Sequence, residues 1–188
     1  MKRIIIGALL ALLKALLSLL YSILKIFPVQ GKKVVFCSRQ SNEIPLDFIL
    51  LQNSLKEKDE EIRCINMCRH IGYNFLDYLK FSIVMLKSMY HLATSKVCVL
   101  DSYWPPVSLL KHKKELAVIQ MWHAIGKIKQ SGLQSVGKKS GRKAEYADFF
   151  NMHKNYEYII AGSKSWNKFY CQSFGTTEDK ILNYGLPR

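Results

Sequence analysis

After Gly31 the chain falls into short apolar runs separated by polar or helical stretches, and this alternation narrows the possible folds more than any other feature. The runs Lys33–Cys37, Ile62–Met67, Val97–Asp101, Leu116–Trp122, Tyr158–Ala161 and Ile181–Tyr184 read as strands. Near-continuous apolar strands with helices between them mark a parallel sheet that is covered on both faces. The predicted fold class is α/β, a Rossmann-like open parallel sheet with flanking helices. Between the first two strands, Pro45 opens a helix with Phe48, Leu51 and Leu55 on one face, closed by the charged run Lys56–Glu61. Tyr73–Thr94 has the spacing of an amphipathic helix, and Ser163–Phe174 of another that stops at Gly175.

The segment before the sheet is different in kind. From Ile4 to Phe27 it is rich in Leu and Ile, with no acidic residue and no proline, and it ends at Pro28 and Gly31. Arg3, Gly7, Ala11, Lys14, Ser18, Ser22 and Lys25 interrupt the apolar pattern every three or four residues and form one stripe on a helix. Such a helix can lie in the plane of a membrane, with its cationic stripe toward the head groups. It is also long enough to span one, and a buried soluble helix is a third reading. Lys25, Lys32, Lys33 and Arg39 outnumber Lys2 and Arg3, which puts the body on the cytoplasmic face under either membrane reading.

Charge leaves the partner open. Twenty-eight Lys+Arg against 14 Asp+Glu give +14, which suits anionic lipid, nucleic acid, polyphosphate or a nucleotide-linked substrate. Nucleic acid is set aside, because the apolar helix is out of place there and no helix-turn-helix, RNA-recognition or zinc pattern occurs. The five cysteines are odd in number, and four lie in or beside apolar strands, so buried thiols are expected and neither a disulfide framework nor a metal site.

An open parallel sheet binds its ligands beyond the carboxyl ends of its strands. That rule nominates Ser38-Arg39-Gln40, Asp101-Ser102-Tyr103-Trp104, His123-Ala124-Ile125-Gly126 and Gly162-Ser163, although each alone also reads as an ordinary strand-ending turn. The stretch around His123 says most. A buried strand delivers a histidine at its end, then a glycine-bearing turn, then Lys127 and Lys129. An imidazole is suited to taking a proton from a hydroxyl, and lysines to holding a phosphate beside it. A hydrogen-bonded structural histidine would show the same pattern. From Gly132 to Lys143, three glycines with Lys138, Lys139, Arg142 and Lys143 make a basic loop, read either as a clamp over phosphates or as a solvated surface.

The Trp122-His123 pair at the end of an apolar strand containing Gln120 resembles the Trp-His-Gly turn of the CDP-glycerol glycerophosphotransferases of teichoic-acid biosynthesis. Lys33-Val34-Val35-Phe36 is similar to that family's opening strand, Tyr158-Ile159-Ile160-Ala161-Gly162-Ser163 to its later strand, and Gly185-Leu186-Pro187-Arg188 to the Gly-x-Pro-Arg that closes its first half. Two departures stand out: Met121 replaces a usual Thr, and Ala124-Ile125-Gly126 replaces Gly-Thr-Pro.

The resemblance implies the first half of a two-domain GT-B arrangement, with residues 1–28 as a membrane-associated helix and residues 32–188 as the acceptor-side domain. It implies transfer of glycerol phosphate from CDP-glycerol, held by a second half beyond this sequence, to a polyprenol-linked acceptor at the membrane. His123 would be the general base. Lys127, Lys129, Ser38, Arg39, Asp101, Ser102 and Ser163 would surround the acceptor or its phosphate, with Lys138, Lys139 and Arg142 as the loop clamp. No cofactor is expected, and this half alone would be inactive. The alternative is a membrane-anchored, non-catalytic module that binds lipid-linked acceptor or anionic lipid.

Overall fold

The computed structural model describes residues 2–188 apart from positions 125 and 140, with the side chains of residues 2–5 also outside the described set. Ile125 of the predicted turn and the Arg3 side chain of the helical stripe therefore lie outside the described residues. Six strands, β1 (Gln30–Ser38), β2 (Arg63–Cys68), β3 (Ser95–Leu100), β4 (Ala117–Gln120), β5 (Tyr158–Ile160) and β6 (Ile181–Leu182), form one sheet. All pairs are parallel, in the order β2-β1-β3-β4-β5-β6. The chain first builds outward from β1 to β2, then returns to the other side of β1 and adds β3 to β6 in sequence. The reversal lies between β1 and β3, the position where such sheets open a crevice at their carboxyl ends.

Alternation along β1 explains how one strand serves two cores. Val35 and Cys37 point to one face and Val34 and Phe36 to the other. The first face is the larger. There Cys98, Leu100, Val118 and Ile159 from the sheet meet Tyr21, Met89, Leu92, Trp104, Tyr170 and Phe174. These come from α1 (Lys2–Leu24), α3 (Phe75–Thr94), the start of α4 (Pro105–Leu109) and α6 (Asn167–Phe174). On the second face, Phe48 of α2 (Leu46–Lys58) packs on Phe36, with ring centroids 5.1 Å apart.

The ends of the helices follow their local chemistry. Asn74 caps α3 by accepting the Asp77 N–H at 2.8 Å. Gly175 ends α6 in the left-handed region, at φ 62°, where its N–H reaches the Cys171 carbonyl. The strands observed differ from those predicted by a few residues at their ends. Two helices were not anticipated, α4 and α5 (Ala144–Phe149). The Asn155 side chain explains how so short a helix as α4 stops inside the core: its Nδ2 donates to the carbonyls of Val107 (2.8 Å) and Leu110 (3.0 Å). All five cysteines are free thiols, and burial pushes the Cys37 thiol up.

The amino-terminal helix is not a loose appendage. Tyr21 is 1% exposed, its hydroxyl 2.6 Å from His112 Nδ1, and Leu17 and Leu24 pack on the same core. Tyr21→Ala is therefore expected to lower unfolding stability by about 3–5 kcal/mol, the usual cost of emptying a buried aromatic site. Urea denaturation of the variant checks this.

Candidate functional site

The crevice at the β1/β3 reversal is built from buried polar groups. Ser38, at the end of β1, donates its hydroxyl to Asp101 Oδ2 at 2.7 Å, directly after β3. The Arg39 N–H donates to Ser102 Oγ at 3.0 Å. Ser38, Asp101 and Ser102 are all buried, so they tie the two strand ends together. Burial pushes the Asp101 carboxyl up, against the hydrogen bonds from Ser38 and Ser102 and the nearby His123, which favour its charged form.

The third strand to arrive is β4. Its Gln120 is wholly buried; Nε2 donates to the Ser102 carbonyl at 3.3 Å, and Oε1 accepts the Trp122 N–H at 2.9 Å. Trp122 sits at φ 64°, a left-handed conformation that costs a bulky residue about 1–3 kcal/mol and persists only where its surroundings enforce it. The kink is followed directly by His123, whose ring lies 4.1 Å from the indole at 34°.

His123 Nδ1 is 2.9 Å from the Asp101 carbonyl oxygen. A carbonyl only accepts, so Nδ1 is the donor in this contact, and in the neutral ring Nε2 is the nitrogen with the lone pair. The Gln40 carboxamide lies against the same ring edge, 3.2 Å from Nδ1. Among the described residues Nε2 has no hydrogen-bond partner, and His123 lines a cavity of about 310 Å³.

That cavity also holds two guanidinium groups. Arg39 and Arg142 both lie over the ring of Tyr103, at 5.3 and 5.2 Å from its centroid. Among the described residues no carboxylate pairs with either, and Arg39 Nε is buried without a partner. Burial first, and then the neighbouring Arg142, push Arg39 down to about 10, which leaves it charged at neutral pH. Two guanidiniums without a carboxylate partner, beside an imidazole, have the chemistry to hold a phosphate group.

The fold thus brings together Ser38, Arg39, Asp101, Ser102, His123 and Arg142. It does not do so for the other candidates. Lys127 is not a cleft residue: it is 6% exposed, and its ammonium faces the rings of Trp122 (4.3 Å), Phe174 (5.1 Å) and Tyr170 (5.6 Å) while donating to Ser131 Oγ. Three rings, one beside His123 and two from α6, outcompete the cavity for this cation, a desolvated cation–π contact being worth about 2 kcal/mol. Burial pushes Lys127 down to about 8, so it stays protonated at neutral pH. Lys129, Lys138 and Lys139 are exposed and do not line the cavity, and Lys138 reaches instead to Gln130. Ser163 accepts the Ser165 N–H at 3.3 Å and caps a turn.

Several residues of the site were not anticipated. Tyr103 and Gln40 lie inside nominated strand ends, where the sequence carries no signal of a role for either. Gln120 had a readable signal, a polar side chain inside an apolar strand. His153, 4% exposed, lines the cavity as well; burial, then the cations of Lys127, Arg39 and Arg142, push it down to about 3, so it is a neutral imidazole. Arg188 donates to the His123 carbonyl at 3.0 Å and pairs with Asp47 at 3.6 Å, placing the Gly-Leu-Pro-Arg segment against the site.

A parallel α/β sheet that presents a histidine and two guanidinium groups at its switch point has an arrangement that can bind and position a phosphorylated ligand. Residues 19–188 match the family described as CDP-glycerol:poly(glycerophosphate) glycerophosphotransferase, and the chain belongs to that family. It is 31% identical over 163 residues to the teichoic acid ribitol-phosphate primase of Bacillus spizizenii strain W23, covering 87% of this chain and 42% of that protein. It is also 31% identical over 108 residues to the teichoic acid glycerol-phosphate primase of Bacillus subtilis strain 168, covering 57% of this chain and 28% of that protein. The fold is similar to that of the wall teichoic acid polymerase TagF, with a TM-score of 0.64 at 16% identity, over 89% of this chain and 42% of that one. The chain therefore spans less than half the length of these relatives.

Proposed function

We propose that this chain is the acceptor-side half of a polyol-phosphate transferase of teichoic-acid synthesis. The observation that carries the reading is the shared cavity, in which His123 Nε2 and the guanidiniums of Arg39 and Arg142 stand together, none of them with a hydrogen-bond or carboxylate partner among the described residues. The acceptor hydroxyl gives its proton to His123 Nε2 while its oxygen attacks the phosphorus of a CDP-activated polyol, and CMP leaves. The imidazole, once protonated, is held by the Asp101 carbonyl at Nδ1. A base so placed contributes about 10²- to 10⁴-fold. Arg39 and Arg142 hold a phosphate of the acceptor, a role in which charge neutralisation and positioning do most of the work. The donor, CDP-glycerol or its ribitol counterpart, binds to a second half.

Arg39→Ala and Arg142→Ala are each expected to weaken binding of glycerol 3-phosphate to this chain by about 10- to 100-fold, since a charge-assisted hydrogen bond contributes about 1.5–3 kcal/mol. Calorimetric titration measures it. Equal affinity in wild type and both variants would remove the phosphate seat from the proposal.

The acceptor is reached at a membrane surface on which α1 lies in plane. The helix follows the body along its length: Ile6, Gly7 and Leu10 face Tyr146 and Phe149 across an apolar groove, Lys14 lies over the Phe149 ring at 5.8 Å, and Tyr21 enters the core. A spanning helix would have to stand clear of the body. The opposite side of α1 is apolar and bare, with Leu9, Leu12, Leu16, Leu19 and Ile23 all exposed. Beside it, α3 adds exposed Phe75, Leu76, Leu79, Ile83 and Leu86.

A further inference from the structure

We propose that the Lys127 ammonium is a positioning group for His123, acting through the indole of Trp122. The inference rests on the reading of His123 as the general base and assigns Lys127 a role other than ligand binding.

Three observations meet at Trp122. Its backbone is left-handed, at φ 64°, which a bulky residue adopts only when its environment enforces it. Its ring is the nearest of the three that enclose Lys127 Nζ, at 4.3 Å, and packs edge-on to Phe174 at 5.4 Å. Its ring also forms the platform under His123, at 4.1 Å. The Gln120 bond to the Trp122 N–H holds the backbone of this kink, but nothing in that bond fixes the direction of the indole. The cage does. Indole is the ring that attracts a cation most strongly, and the attraction grows when water is excluded, as it is around a side chain that is 6% exposed.

A buried ammonium is costly to retain without a carboxylate, and among the described residues Lys127 has none; its surroundings are three rings and the Ser131 hydroxyl. A phosphate ligand would be expected to line the cavity of His123, and Lys127 does not. Its place in the chain is also apt. The loop that leaves His123 turns back after four residues and drives the ammonium onto the ring that precedes the histidine. Indole direction, and with it the aim of Nε2 toward the acceptor, therefore depends on a cation that never meets substrate.

The experiment compares Lys127→Met with Lys127→Arg. In this chain, the ¹H–¹³C signal of the His123 ring, assigned by its loss in His123→Ala, is expected to shift or broaden in Lys127→Met. It is expected to stay near its wild-type position in Lys127→Arg, because a guanidinium also stacks on rings. In the complete two-half transferase, Lys127→Met is expected to lower kcat about tenfold with acceptor KM within about twofold, and Lys127→Arg to restore most of it. A folded Lys127→Met with an unmoved His123 signal overturns the proposal. So does a rise in acceptor KM at unchanged kcat, which would make Lys127 a ligand. If Lys127→Met does not fold, Phe174→Leu, which thins the cage and keeps the charge, takes its place: the His123 signal should move in the same direction, and no movement is refuting. The spectroscopic arm holds even if His123 proves not to be the base, so failure of that reading is distinguishable from failure of this one.

Discussion

His123→Ala is expected to reduce polyol-phosphate transfer by about 10²- to 10⁴-fold in the complete transferase, with the fold and glycerol 3-phosphate binding retained. The side chain is partly exposed, and among the described residues its ring donates one hydrogen bond, from Nδ1 to the Asp101 carbonyl, with the Gln40 carboxamide in contact beside it. Removing it leaves no buried group starved of a partner, because the Asp101 carbonyl can turn to water in the open cavity. The proposed phosphate seat, Arg39 and Arg142 against the Tyr103 ring, does not use the His123 side chain and should stay intact. The comparison that matters is with His153→Ala. His153 lines the same cavity but is buried, with its Nδ1 3.0 Å from the Tyr156 hydroxyl. Its loss should lower stability before it lowers the chemical step. Single-turnover assays with labelled CDP-glycerol distinguish the two, and wild-type turnover by His123→Ala would refute the base assignment. Turnover by the present chain alone would refute its reading as one half.

The second large effect is expected at the membrane. Leu12, Leu16 and Leu19 share one exposed face of α1 and make no contribution to the buried core. Triple substitution to glutamate should weaken binding to anionic vesicles by about a thousandfold or more, since each lost leucine burial is worth about 1.5 kcal/mol or more before charge repulsion is counted. Stability in solution should hardly change. Deleting residues 1–27 is a poorer test, because it also removes Tyr21 and unfolds part of the core. Vesicle co-sedimentation at matched salt reads the effect, and undiminished recovery of the triple variant would place attachment elsewhere.

Much of this architecture was legible in the sequence because it rests on period. All six strands were marked by apolar runs whose alternation or continuity reflects burial on one or both faces, and the sheet rule then pointed to Arg39, Asp101 and His123 before any geometry was known. What escaped was set by distance in the chain. The helix α4 is five residues long and depends on a cap from Asn155, some fifty positions later, which no local pattern shows. Lys127 beside His123 looked like a phosphate ligand, because the rings that claim it, Tyr170 and Phe174, lie more than forty residues away and enter only when α6 packs on the sheet. In the sequence Arg142 is one basic residue of a loop among several. Only the fold distinguishes it from Lys138 and Lys139, by stacking it on Tyr103.

The hydroxyl of Tyr21 joined to His112 makes the amphipathic helix a fixed strut and not a tether. If that strut rests on a bilayer, the mouth of the His123 cavity is held at one height above the lipid phosphates, like a tool bolted to a bench. Acceptors would then be sorted by how far their hydroxyl stands out from the lipid that carries them, before any contact with Arg39 or His123 is made.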